Sequence, residues 1–239
     1  MNGNIYMISN IYMNIDLPSD IKQYLDLNIA MVKKFFSQCN SKPDARCSIN
    51  VKYIKDIDCF IKFGVERVAN AIKLRKIIED NKLDLLCVPD KYLYNIPDTN
   101  DYIVVVKRVH NCYDCINNNG INNCISNSTN SSLIKCTNSR GVKLNVNQVN
   151  QLYNMCILAS YKSLHTLNYI VLQNDKICII DTDVEAMPND NNKANLFNIL
   201  ILELKKARHN YNKETYQLFV NILQKNNYKL WLHNRSQKK

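Results

Sequence analysis

Asn168, Asp181 and Asp183 are the residues whose types and spacing most directly suggest chemistry. An amide oxygen and two carboxylates are hard ligands suited to Mg²⁺, which keeps several waters and takes a few protein oxygens together with a substrate phosphate. The segment carrying them predicts how they meet. Tyr169-Ile-Val-Leu172 and Ile177-Cys-Ile-Ile180 are apolar runs rich in β-branched residues, and Asn174-Asp175 between them is a turn pair. That pattern predicts a β-hairpin. Asn168 before its first strand and the two aspartates after its second then lie at one end of it. A plain surface hairpin, with Asn168 capping a turn and Asp183 serving one, carries the same letters. Upstream, Lys62 is embedded in the short apolar run Asp58-Cys-Phe-Ile-Lys-Phe63. Read by itself, it is a solvated lysine on the outer face of an edge strand.

The segment Tyr161–Asp183 resembles the catalytic loop and metal loop of the protein-kinase-like superfamily. In that family a Tyr/His-Arg-Asp triplet is followed after four residues by Asn, then by two short strands and Asp-Phe-Gly. Here Tyr161-Lys162-Ser163 stands at the triplet, Asn168 at the metal-binding Asn, and Asp181-Thr182-Asp183 at Asp-Phe-Gly. Lys62 matches the lysine of the family's third strand, which holds the nucleotide phosphates. Glu66, opening the next helix, matches the glutamate that pairs with that lysine; it is equally a favourable first-turn charge against the helix dipole.

The resemblance implies ATP and Mg²⁺ as cofactors. Lys62, Glu66, Asn168 and Asp181 would bind nucleotide, and Asn168, Asp181 and Asp183 would bind metal. It also implies an α+β, bilobal kinase-like fold: a small antiparallel N-lobe sheet with one main helix, and a reduced, mostly helical C-lobe. Lys62 and Asp181 would then reach one phosphate group. The sequence is similar as well to aminoglycoside phosphotransferase-type small-molecule kinases, which share the Asn and Asp pattern.

The departures are specific. Ser163 occupies the catalytic aspartate's position, and His165 stands where many members carry lysine. The only glycines are Gly3, Gly64, Gly120 and Gly141, so no glycine-rich loop brings backbone N–H groups close to phosphate. No Ala-Pro-Glu follows Asp183. Phosphoryl transfer relies mostly on positioning and charge neutralisation, and a general base contributes about 10²–10⁴-fold. Losing the base slows transfer without forbidding it, and losing the loop weakens the grip on phosphate. The expectation is a pseudokinase or regulatory binding module with weak or absent Mg-ATP binding and a protein partner. The alternative is a slow ATP-dependent phosphotransferase acting on a protein or small molecule.

The positioning elements follow in order. Ser48–Ile54 is expected to pair with the Lys62 strand through a turn at Lys55–Asp58. Val68, Ala71, Ile72, Leu74 and Ile78 mark a helix over 65–81. The runs Leu83–Pro89 and Asp101–Val106 would supply the fourth strand and the one before the hinge. A helix over 145–160 carries the stripe Val146, Val149, Tyr153, Cys156, Ile157 and Ser160. The segment 195–209 is apolar nearly all round, which predicts a buried helix, and Tyr216, Phe219, Val220 and Leu223 mark a final amphipathic one. An amphipathic helix over 21–36, after Pro18-Ser19, packs on the small lobe or binds a partner. The implied organisation is a helical extension (1–43), an N-lobe (44–109), a Cys/Asn-rich insertion (110–140) and a reduced C-lobe (141–239).

The 239 residues are enough for one such unit with a real core. The formal charge of +10 is spread along the chain, which allows attraction to acidic partners and makes nucleic acid a minor expectation. No stretch approaches the apolar length of a membrane span, and the N-terminus lacks a basic start and an apolar core of a secretory signal. The expected location is cytoplasmic, away from membranes. Of ten cysteines, Cys59, Cys87, Cys156 and Cys178 lie in apolar runs and read as reduced core residues. Cys112, Cys115, Cys124 and Cys136, with His110 adjacent, lie in a polar stretch. They could hold Zn²⁺, form a redox-labile loop, or be incidental to a loop insertion. A zinc-stapled protein meeting nucleic acid through its basic surface is therefore a third reading.

Overall fold

The computed structural model describes residues 16–41, 50–109, 142–162, 164, 169–171, 174–183, 186–187 and 193–236. The chain is α+β and divides into two compact units, Met1–Lys73 with Pro89–Val109, and Leu74–Val88 with His110–Lys239. Ser163, His165 and Asn168, and the cysteines Cys112, Cys115, Cys124 and Cys136, lie outside the described residues.

The first unit is built on an antiparallel sheet of β1 (Val51–Ile54), β2 (Cys59–Lys62), β4 (Lys91–Asn95) and β5 (Tyr102–Lys107), in the order β1-β2-β5-β4. The expected pairing of the first two strands holds: Lys55–Ile57 forms a 3₁₀ turn, and Asp58 closes it at φ 47°. Strand β5 has both faces covered, which explains its unbroken apolar run Ile103–Val106. Ile103 and Val105 join Cys59, Ile61 and Ile54 in one core, against Ile21, Leu25, Val32, Phe35 and Cys39 of helices α1 (Ser19–Leu27) and α2 (Ile29–Asn40). Val104 and Val106 pack on the other face with Val68 of helix α3 (Glu66–Asp80).

The single amphipathic helix expected over 21–36 is thus two helices. Asn28 separates them: its N–H bonds to Tyr24 and Leu25 carbonyls, and its side-chain amide donates to the Tyr24 carbonyl at 2.9 Å. Asn competes with helical hydrogen bonding in this way.

The second unit holds β3 (Leu86–Cys87), β6 (Tyr169–Val171) and β7 (Ile177–Ile179), in the order β3-β7-β6. The predicted hairpin is present: Tyr169 faces Ile179 and Val171 faces Ile177, with Asp175 at φ 60° in the turn. Strand β3 differs from expectation. The run Leu83–Pro89 does not extend the first sheet; Leu86 and Cys87 pair in parallel with Ile177 and Cys178. Lys91–Asn95 takes the place beside β5 instead. Pro89 has no N–H to donate, which breaks the run, and the short Pro97–Asn100 connection makes β4–β5 a local hairpin.

Helix α4 (Val146–Ala159) begins with a capping box in which Asn145 and Gln148 bond each other's backbone N–H. Its buried stripe is Gln148, Val149, Leu152, Met155, Cys156 and Ala159, turned away from the expected one, and Val146 is half exposed. Helix α5 (Lys193–Lys206) buries Leu196, Leu200 and Leu204 but leaves Leu202 56% exposed, so it is covered on one face rather than all round. Helix α6 (Lys213–Ser236) buries Thr215, Phe219 and Leu223.

Candidate functional site

Lys62 ends β2, facing Val51 on one side and Val104 on the other. Register partners in neighbouring strands project to the same face. Lys62 therefore shares the face of Val104, the one that α3 covers through Val68. It is 9% exposed. The alternative of a solvated lysine on an edge strand does not describe it: β2 lies inside the sheet, between β1 and β5.

Glu66 opens α3 three residues beyond Phe63 and lies on the same unit as Lys62. Its carboxylate folds back over Gly64, where an added β-carbon would collide with Glu66 Oε1. Gly64 itself takes φ +99°, a conformation that side-chain-bearing residues rarely adopt. Arg67, also buried, donates from Nε to the Phe63 carbonyl at 2.9 Å and fixes the turn from β2 into α3.

A second buried lysine escaped the sequence reading. Lys91 on β4 is only 1% exposed and faces Val106, so it lies on the same sheet face as Lys62. The signal was present as the alternating stretch Lys91-Tyr-Leu-Tyr-Asn95, masked by the stronger apolar run before it.

In the second unit, Asp181 follows β7 and is half-buried. Its backbone carbonyl accepts the Tyr161 hydroxyl at 3.1 Å. Tyr161 is fully buried just after α4, where Ser160 ends the helix at φ 54°. Burial pushes the Tyr161 phenol well above its ordinary value, with the Asp181 charge adding to the shift, so Tyr161 acts as a neutral donor. One residue on, the Lys162 N–H donates to the Ala186 carbonyl at 2.8 Å. These two bonds fasten the segment after α4 to the segment after β7.

Asp183 serves a turn. Its Oδ1 accepts the Ala186 N–H at 2.8 Å, and its carbonyl accepts the Met187 N–H at 3.1 Å. Thr182 between the aspartates is fully buried. Two carboxylates on one short loop fit the one or two that Mg²⁺ commonly takes from a protein. One Asp183 oxygen is engaged by the turn. Among the described residues, no cluster of three or more His, Cys, Asp or Glu side chains is placed to hold a metal ion. No described helix is long and apolar enough to cross a membrane.

No family model matches this chain, and no curated protein matches its sequence. The assignment of chemistry to these residues therefore stands on their types, spacing and local geometry.

Proposed function

We propose that this chain is a degenerate kinase-like module that binds Mg-ATP weakly and has lost efficient phosphoryl transfer. Lys62 contacts phosphate, and Asp181 with Asn168 supplies the protein oxygens to Mg²⁺; Asp183 shapes the loop. Mg²⁺, when bound, neutralises phosphate charge. The chain's own residues do the positioning: Tyr161 holds the Asp181 main chain, and the Asp183 turn fixes the direction of the loop.

The observation that carries this reading is the pair of bonds Tyr161–Asp181 and Lys162–Ala186. They join the segment aligned with the family's catalytic triplet to the segment aligned with its metal loop. The buried Lys62 on a central strand, followed at once by a helix opening with Glu66, supports it further. Ser163 at the catalytic position argues for binding over transfer, because a hydroxyl lacks the aspartate's basicity.

Thermal unfolding with Mg-ATP tests the proposal. A ligand that binds the native state raises stability by mass action, about 1.4 kcal/mol when present at ten times its Kd. For a chain of this size that is a rise of roughly 3–5 °C. The rise is expected in the wild type and absent in Lys62→Ala and Asp181→Ala. No rise in the wild type at ten-millimolar Mg-ATP, or equal rises in all three proteins, would refute it.

A further inference from the structure

Two cysteines meet where β3 pairs with β7. Cys87 and Cys178 are register partners across this parallel pair, so their side chains project to the same face of the sheet. Neighbouring strands lie about 4.7–4.9 Å apart, inside the Cα separation of about 4.4–6.8 Å that a disulfide requires. Both cysteines are reduced here; Cys178 is buried and Cys87 half-buried. Each lies in the second unit, and the pairing joins segments that are far apart in sequence.

We propose that Cys87 and Cys178 form a reversible redox site, oxidised by hydroperoxides to a disulfide that ties β3 to β7. The inference is independent of nucleotide binding. Cys87 is the attacking sulfur, since it is the more accessible of the two. The neighbouring Cys178 side chain lowers the Cys87 thiol below its ordinary value against the opposing effect of burial, and the Lys176 charge helps. By contrast, burial raises the Cys39 and Cys59 thiols to about 11. The opposite directions favour Cys87 over Cys39 and Cys59 as the nucleophilic thiolate at neutral pH.

The steps balance. The Cys87 thiolate attacks one peroxide oxygen: an S–O bond forms, the O–O bond breaks, and the departing hydroxide takes a proton to become water. Cys87 is now a sulfenic acid. The Cys178 sulfur then attacks Cys87: the S–S bond forms, the S–O bond breaks, and the hydroxyl leaves as water with the Cys178 proton. Two thiols have been oxidised and one hydrogen peroxide reduced to two waters. A dithiol restores the pair by exchange.

Trypsin separates the two cysteines into peptides Leu83–Lys91 and Ile177–Lys193, each with one cysteine. The full chain is treated with hydrogen peroxide, alkylated, digested and analysed by mass spectrometry. The expected product is a crosslinked species of the two peptides, weighing their sum less two hydrogens, that disappears on dithiothreitol treatment. The linked species forms in the unsubstituted protein, so the outcome does not depend on any variant folding. Cys178→Ser is then expected to convert Cys87 to its sulfenic or higher acids with no crosslink. Oxidation of Cys87 alone in the wild type, a bond from Cys87 to any other cysteine, or no reaction of Cys87 at peroxide levels that oxidise free cysteine would each overturn the proposal.

Discussion

Gly64 links Lys62 to Glu66, and its backbone makes it hard to replace. At φ +99° an alanine is strained whatever the surroundings, and its β-carbon would press on the Glu66 carboxylate. The contact is with the tip of a flexible side chain, which can swing aside; the backbone cannot. Gly64→Ala is therefore expected to cost about 1–3 kcal/mol of stability, the usual cost of holding a residue in a sparsely populated region. Urea unfolding of Gly64→Ala and of Gly64→Ala/Glu66→Ala separates the two causes. The double variant is expected to keep most of the loss; full recovery would place the cost in the side-chain contact.

Buried thiols give a second residue-scale expectation. Burial raises Cys39 and Cys59 to about 11, from an ordinary value of 9.0. In that interval the unfolded chain releases protons that the folded chain retains, so the folded state loses ground as pH rises. The contribution is intact below about pH 9 and falls away as pH climbs toward 11. Unfolding free energies of wild type and Cys59→Val measured across pH 8–10.5 should diverge, with the wild type falling more steeply. Parallel curves would contradict this.

Among the elements, α4 and the β6–β7 hairpin are coupled through one side chain. Gln148 is buried; its Oε1 accepts the Asn145 N–H at 2.8 Å, and its Nε2 donates to the Asp175 carbonyl at 2.7 Å. Asn145→Ala removes only the cap, at a cost of about 1 kcal/mol. Gln148→Ala removes the reciprocal cap bond, the tie to the hairpin turn and the packing of a buried side chain, for about 2 kcal/mol. Chemical denaturation of both variants checks the order, and a smaller loss for Gln148→Ala would contradict it.

How much of this was legible follows from which signals are local. The hairpin at 169–179, the β1–β2 pairing and helices α3 and α4 are written in short-range periodicity and turn chemistry, and each appears where the residues imply. The pairing of Leu86–Cys87 with β7 is long-range, so the run Leu83–Pro89 gave no sign of which sheet it would join. The break at Asn28 depends on one side chain bonding back to Tyr24, and an apolar pattern does not record that. Helix α5 misled in another way: a helix rich in Leu and Ile still leaves Leu202 exposed, because folded surfaces are largely apolar in any case. At the candidate site, the burial of Lys62 was signalled by its apolar neighbours, whereas the turn role of Asp183 required the Ala186 N–H to be placed. The meeting of Cys87 and Cys178 was hidden for the same reason as β3.

For the whole molecule, the net charge of +10 favours any polyanion, so ATP binding by itself discriminates poorly between a specific site and a basic surface. Metal dependence discriminates well. Loose attraction to scattered lysines weakens when Mg²⁺ neutralises part of the phosphate charge, while a carboxylate-bound metal strengthens the grip. Equilibrium dialysis of ATP with Mg²⁺ and with EDTA, on wild type and Asp181→Asn, measures this directly. Mg²⁺ is expected to tighten ATP binding to the wild type, and the gain to vanish in Asp181→Asn. Binding that Mg²⁺ weakens, or the same metal dependence in both proteins, would contradict it.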